Sequence, residues 1–317
     1  MQNLRVLAVG LPMSKLRALS LLVVFILLVS CNPGQHTVTL ALLGDLMVGR
    51  GVDPKTDSLA YLTPELKAAN LSLANLESPL APAESYATPT DGYNLCTSSV
   101  RAALFPVWGL DMLSLANNHR FDCGQDGVND TANAVSTAGI TPIGSGPEPV
   151  YRVINGLKLA FLAFDDILTP IDTSATAQAI QSAHASGAVV VVSVHWGAEY
   201  QEGATDRQET LARQFANAGA ALVVGTHPHV LQPAEWIGPQ SCPSQGCTLV
   251  LYSLGNALFD QGGLADTRQS ALVVVTLDNQ GVRSVQVVPF VIDVVESRVV
   301  APDAGTAKQI QDRLHLP

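Results

Sequence analysis

The chain has 317 residues, 47% of them apolar and only 14% charged, so it is long and apolar enough to bury a sizeable core. Lysine and arginine total 17 against 27 acids, a formal charge of −10, which argues against nucleic acid as a partner because phosphate binding needs a basic face. Beyond the N-terminal segment no run is apolar and long enough to span a bilayer.

Residues 1–30 read as a targeting segment. Lys15 and Arg17 precede the apolar stretch ALSLLVVFILLV, too short for a comfortable transmembrane helix and typical of a signal-peptide core. The segment ends in Leu28-Val29-Ser30-Cys31, which resembles a bacterial lipobox with Cys31 as the lipidated residue; a plain signal peptide with an incidental cysteine is the alternative. Met13 stands just before the basic pair and is a second candidate start. Removal of residues 1–30 takes away Arg5, Lys15 and Arg17 and no acid, leaving 14 basic and 27 acidic residues and a charge of −13. A polyanionic substrate therefore has to be held by a local basic patch or by a metal. The expected layout is a leader over 1–30, a lipidated cysteine and short tether over 31–36, one domain over 37–300 and a tail over 301–317.

From there apolar β-runs alternate with helical stretches. The runs are TVTLALLGD, LSLANLE, MLSLAN, LAFLAF, AVVVVSVHW, ALVVGTH and TLVLYSLGN. Helices are predicted over Leu59–Ala69, Ser99–Trp108, Asp126–Ala138, Thr173–Ser186 and Arg207–Ala218, with Gly139, Gly187 and Gly219 as C-caps. Continuous Val/Ile/Leu runs between helices point to an α/β protein with buried sheets. Two strands around Asp278-Asn279-Gln280-Gly281 read as a hairpin, and the tail reads as a short helix. An exported chain meets oxidising conditions, so the four cysteines after Cys31 are read as disulfides. The short CPSQGC loop suggests Cys242–Cys247 at a hairpin tip, which leaves Cys96–Cys123.

Six of the runs end in short polar clusters: GDLMVGR, NLESP, ANNHRFDCG, VHWGAEY, GTHPHVLQ and YSLGNALFD. In an open α/β sheet ligands bind at the carboxyl ends of strands, so the six clusters are expected to share one rim. They bring together Asp45, Glu77, Asn118, His119, His195, His227 and His229, a set of carboxylates, an amide oxygen and imidazoles suited to a borderline divalent metal such as Mn, Zn, Fe or Ni. Singly, each residue has an ordinary structural reading as a cap, a turn residue or a core histidine. Pro228 biases His227 toward extended geometry, and extended spacing puts His227 and His229 on one side. His36, His184 and His315 lie in terminal or helical segments and carry no expected role.

The ordered set GDLMVGR, NLESPL, LANNHRFDCG, SVHWGAEY, GTHPHVLQ and YSLGNALFDQ resembles the bacterial CapA family of capsule and poly-γ-glutamate synthesis proteins, over roughly 40–260. That family is in turn similar to the calcineurin-like metallophosphatases, which implies a four-layer αββα sandwich of the metallo-dependent phosphatase type. The resemblance implies one or two divalent ions, with Asp45 and His229 on a first metal, Glu77 bridging, and Asn118, His195 and His227 on a second. It implies His119 as general acid or transition-state contact. Arg50 is left to a carboxylate or phosphate contact or to a structural salt bridge, and Asp122, Glu199 and Asn256 to supporting roles around the ligands. One departure stands out: the superfamily's first motif is Asp-x-His, and here the third position is Met47, whose thioether is a poor ligand for such metals. Strand alternation would direct Met47 the same way as Asp45, so the first metal is expected to be weak or absent.

Three functions fit. One is an extracytoplasmic metal-dependent hydrolase or transferase acting on a phosphoester or γ-glutamyl polymer. Another is a non-catalytic component of a capsule assembly machine, which binds poly-γ-glutamate or another anionic envelope polymer beside membrane capsule-synthesis proteins. The third is a lipid-anchored scaffold without metal.

Overall fold

The computed structural model describes residues 36–90, 92–239, 242 and 246–316; the leader, the lipobox and Cys31 lie outside them. The chain runs β1 (Val38–Leu46), α1 (Thr63–Ala68), β2 (Leu71–Leu76), β3 (Leu80–Ala81), β4 (Thr97–Ser98), α2 (Leu104–Trp108), β5 (Met112–Ser114) and α3 (Gly127–Thr137). It continues β6 (Thr141–Ile143), β7 (Val150–Ile154), β8 (Leu157–Asp165), α4 (Thr173–Ala185), β9 (Val189–His195), α5 (Asp206–Ala218), β10 (Ala220–Thr226) and β11 (Leu231–Ile237). The last elements are β12 (Thr248–Leu254), β13 (Asn256–Leu258), β14 (Gln269–Asp278), β15 (Gly281–Asp293), β16 (Arg298–Val300) and α6 (Ala304–Leu314).

All seven predicted β-runs form strands, and they divide between two sheets. The first has the order β16-β15-β14-β1-β2-β5-β6, with β13 beside the end of β1; the second has the order β11-β12-β10-β9-β8-β7. The parallel centre β1-β2-β5-β6 has antiparallel strands on the β1 side only, whereas β8-β9-β10-β12 has one on each side. The strands are apolar on both faces because both faces are covered. Along β9, Val191 faces a core shared with Leu40, Leu42, Leu73, Phe161 and Val224 from both sheets. Its neighbours Val190 and Val192 face a second core with Ile180 of α4 and Leu211 and Phe215 of α5. A third core joins Ala41 and Leu43 of β1 to Leu66, Phe105, Trp108 and Val135 of α1, α2 and α3. Three apolar seams between four layers, helices-sheet-sheet-helices, make the αββα sandwich. Ile310 and Leu314 of α6 are buried in the inter-sheet core.

The helices differ from expectation where proline intervenes. Leu59–Ala69 is helical only from Thr63, because Pro64 suits the first turn. Ser99–Trp108 divides into a 3₁₀ turn, Ser99–Ala103, and α2, since Pro106 has no N–H and is tolerated only near a helix start. Helix α5 carries a capping box between Thr205 and Gln208 and ends on Gly219 at φ +103°. The β14–β15 hairpin closes where expected, with Asp278 opposite Gly281. A second hairpin, β7–β8, turns on Asn155-Gly156, both at positive φ, the dipeptide that two-residue turns favour. Both disulfides form as expected, Cys96–Cys123 and Cys242–Cys247, the latter in the β11–β12 connection.

Candidate metal centre

The carboxyl ends of the parallel strands meet on one rim, and the polar clusters meet with them. Asp45 ends β1 and is fully buried. Gly44 before it packs so close to the Gly255 carbonyl that a Cβ would lie 1.8 Å from the oxygen, and Asp45 N–H donates to that same carbonyl. One Asp45 oxygen accepts from Asn75 Nδ2 at 2.8 Å; the other accepts the His227 backbone N–H at 2.9 Å, linking the two sheets. Glu77, just past β2, is also fully buried, and neither of its oxygens has a hydrogen-bond partner. His229 Nε2 lies 3.6 Å and His119 Nε2 3.7 Å from Glu77 Oε1.

The donors fall into two groups. Asp45, Glu77 and His229 present ligand atoms within 4.8 Å of one another. Beside them, His195 Nε2 lies 2.8 Å from Asn118 Oδ1 and 3.1 Å from His227 Nδ1. These are the two sets the motif order implied. His229 is oriented by Asn256, whose amide nitrogen donates to Gln261 Oε1 and the Thr267 carbonyl, so its oxygen accepts from His229 Nδ1 at 2.9 Å. That fixes the tautomer and leaves the Nε2 lone pair toward Glu77. His119, partly exposed, is held through Nδ1 by Asp122 at 2.8 Å.

The electrostatics are those of a ligand set lacking positive charge. Burial raises Asp45 to about 7, and burial, then the Asp45 and Glu199 charges, raises Glu77 well above the usual carboxylate range. Burial lowers His195 well below its usual value, His227 to about 4 and His229 to about 3, so the imidazoles are neutral and keep their lone pairs at neutral pH. Orphaned Glu77 oxygens, neutral imidazoles and a destabilised carboxylate pair together fit a divalent cation.

Three expectations change. His227 and His229 are not extended: their φ angles are +97° and +60°, and Arg50 and Tyr200, which also border the site, are at positive φ too. Such conformations in non-glycine residues cost on the order of 1–3 kcal/mol each and concentrate at functional sites. The cause is tertiary. His227 N–H is drawn to Asp45, and the Pro228 carbonyl accepts from Tyr200 N–H at 2.8 Å, which overrides the local pre-proline bias. Met47 does not stand where a ligand would. Strand β1 ends at Leu46, and Leu46, Met47 and Val48 all enter the apolar core against the helices, so alternation does not reach Met47. Arg50 makes the structural salt bridge, a fork onto Asp260, and its guanidinium covers the Phe259 ring that packs on His229.

Asn75, Asn117 and Thr226 had gone unassigned. Asn75 bridges Asp45 and His195 Nδ1, the latter at 3.3 Å. Asn117 accepts the His119 backbone N–H and donates to the Leu76 carbonyl, and Thr226 Oγ1 lies 2.9 Å from His195 Nδ1. Asn75 lies within β2, two residues before Glu77. His36, His184 and His315 take no part in these contacts.

The sequence model of the bacterial capsule synthesis protein family PGA_cap matches residues 39–261, from the start of β1 to the loop beyond Asp260. The chain belongs to the PGA_cap family. It is 30% identical to the PGA biosynthesis protein CapA of Bacillus subtilis (strain 168) over 87% of this chain and 76% of that one. It is 30% identical to the capsule biosynthesis protein CapA of Bacillus anthracis over 81% of this chain and 68% of that one. A crystal structure of a hypothetical protein from Thermus thermophilus shares the fold, with a TM-score of 0.50 and 14% identity over 79% of this chain and 98% of that one. In this PGA_cap member the matched span contains every residue of both ligand groups.

Proposed function

We propose that this chain is a lipid-anchored, extracytoplasmic capsule-synthesis protein that acts on poly-γ-glutamate, or a related anionic envelope polymer, at a divalent-metal hydrolase-type site. The observation that carries the reading is Glu77, buried with two unpartnered oxygens between the Nε2 atoms of His119 and His229. Asp45, Glu77 and His229 would hold one ion, and Asn118, His195 and His227 a second. A bound divalent ion of the Mn, Zn, Fe or Ni type supplies a Lewis acid at the scissile bond. His119, aligned by Asp122, is placed to deliver a proton to the leaving group from Nε2. A cavity of about 460 Å³ reached past Arg50 is lined by Asn94 and Arg101, among others, and Arg101 offers a cation to an anionic chain in an otherwise acidic protein. Membrane-bound capsule-synthesis proteins are the expected partners. Intact-mass analysis of protein from membranes should show a lipid on Cys31; an unlipidated mature chain overturns the anchor.

His119→Ala should retain metal and lose turnover of γ-glutamyl polymer by roughly a hundredfold or more, the usual contribution of a positioned acid or base. Metal-loaded wild type without turnover on γ-glutamyl peptides, phosphodiesters or phosphomonoesters would favour the second reading, a polymer-binding component. The missing first-motif imidazole at Met47 is the observation on that side.

A further inference from the structure

A carboxylate outside the two ligand groups reaches the paired histidines from another strand end. Past His195 the chain turns at Gly197, φ +88°, where a Cβ would collide with the Gln208 side chain, and comes back over the site. Glu199 then lies with a carboxylate oxygen within 4.8 Å of ligand atoms of both His227 and His229. Glu199 itself is exposed, whereas both histidines are buried.

We propose that Glu199, with His227 and His229, holds a divalent cation at the mouth of the site. The proposal rests on the metal-site reading above and assigns it a further ligand. The segment is built to hold this carboxylate in place. Tyr200 N–H donates to the Pro228 carbonyl, between the two histidines, at 2.8 Å. Tyr200 Oη accepts from Gln261 at 3.0 Å, Gln261 accepts from Asn256 at 3.0 Å, and Asn256 orients His229 at 2.9 Å. A closed ring of contacts therefore ties the residue after Glu199 to the imidazole beside it. The fully buried Glu77 oxygen, which has no hydrogen-bond partner, lies 3.6 Å from His229 Nε2, so the same imidazole is also positioned to share a cation. Two bonds of about 2.1 Å from one ion span about 4.2 Å, so little movement brings the three groups into coordination. One carboxylate and two imidazoles suit Mn, Fe or Zn better than Ca or Mg.

The test is Mn²⁺ titration of the metal-stripped full chain, followed by calorimetry and electron paramagnetic resonance. Glu199→Gln should lose one Mn²⁺ equivalent or weaken it by roughly tenfold or more, with the metal-free melting temperature unchanged because the residue is exposed. Glu199→Asp should recover part of the loss. Equal stoichiometry and affinity in wild type and Glu199→Gln overturns the proposal while leaving the metal site standing. A wild type that takes up no Mn²⁺, Zn²⁺ or Fe²⁺ overturns both.

Discussion

Replacing Glu77 with methionine should have opposite effects with and without metal. In the metal-free protein the carboxyl group is fully buried with both oxygens unpartnered. An unsatisfied buried polar group costs about 1–3 kcal/mol, so an apolar side chain of similar length should raise the metal-free melting temperature by roughly 2–8 °C. With metal the order reverses. A ligand at a thousand times its dissociation constant stabilises the native state by about 4 kcal/mol, and the variant, deprived of the residue central to both groups, forgoes that gain and binds at least about a hundredfold more weakly. Paired thermal scans of stripped and metal-loaded protein read both signs. A Glu77→Met protein that is less stable than wild type when stripped, or equally stabilised by metal, would remove Glu77 from the ligand set.

Breaking the Cys96–Cys123 bridge should combine a large loss of stability with a specific loss at the site. The bridge closes a separation of 27 residues, which the chain-entropy relation values at roughly 3–4 kcal/mol. It also ties together the two segments that hold His119. Asp122, next to Cys123, accepts the Leu95 N–H at 2.6 Å on the oxygen that holds His119 Nδ1, and Asn94 donates to the Asp122 carbonyl at 2.9 Å. A Cys96→Ser/Cys123→Ser variant should unfold at lower denaturant and show faster amide exchange at Leu95; the ion assigned to Asn118, which lies inside the bridged loop, should be held more weakly, while the ion assigned to Asp45, Glu77 and His229, all outside the loop, should be held nearly as before. Cys242–Cys247 closes only five residues at a hairpin tip, so its removal should cost less. Equal losses from the two bridges would contradict this account.

The sandwich and most of its site could be read from residue patterns, and the exceptions share a cause. The Val/Leu-rich runs of β1, β2, β9, β10 and β12 are predominantly apolar, a signal that survives without tertiary information. The ligand residues were legible because each sits where such a run stops. Periodicity failed where backbone regularity ends. The pairing of β1 with β13 is irregular between Asp45 and Leu46 and the strand ends at Leu46, so alternation counted from Asp45 does not carry to Met47. His227 and His229 were put on one side for a reason, extended backbone, that the fold does not use; both reach the site from left-handed conformations stabilised by Asp45 and Tyr200, distant in sequence. Glu199 was assigned a supporting role because only the turn at Gly197 and the link to Pro228 bring it beside the two histidines.

The division of the ligand set between the two sheets has a mechanical consequence. Asp45, Glu77 and Asn118 stand on the first sheet, and His195, His227 and His229 on the second. The sheets touch chiefly through close-packed aliphatic side chains, which carry no directional bonds to fix their alignment. The Asp45–His227, Asn75–His195, Asn118–His195 and Asn256–His229 hydrogen bonds pin that plane at the site, and an ion bound by both halves would rivet it. Slippage of one sheet by about an ångström would pull the set apart before any strand unfolded. Occupancy of the centre would therefore report on the alignment of the whole sandwich, and a substitution deep between the sheets could empty it without touching a ligand.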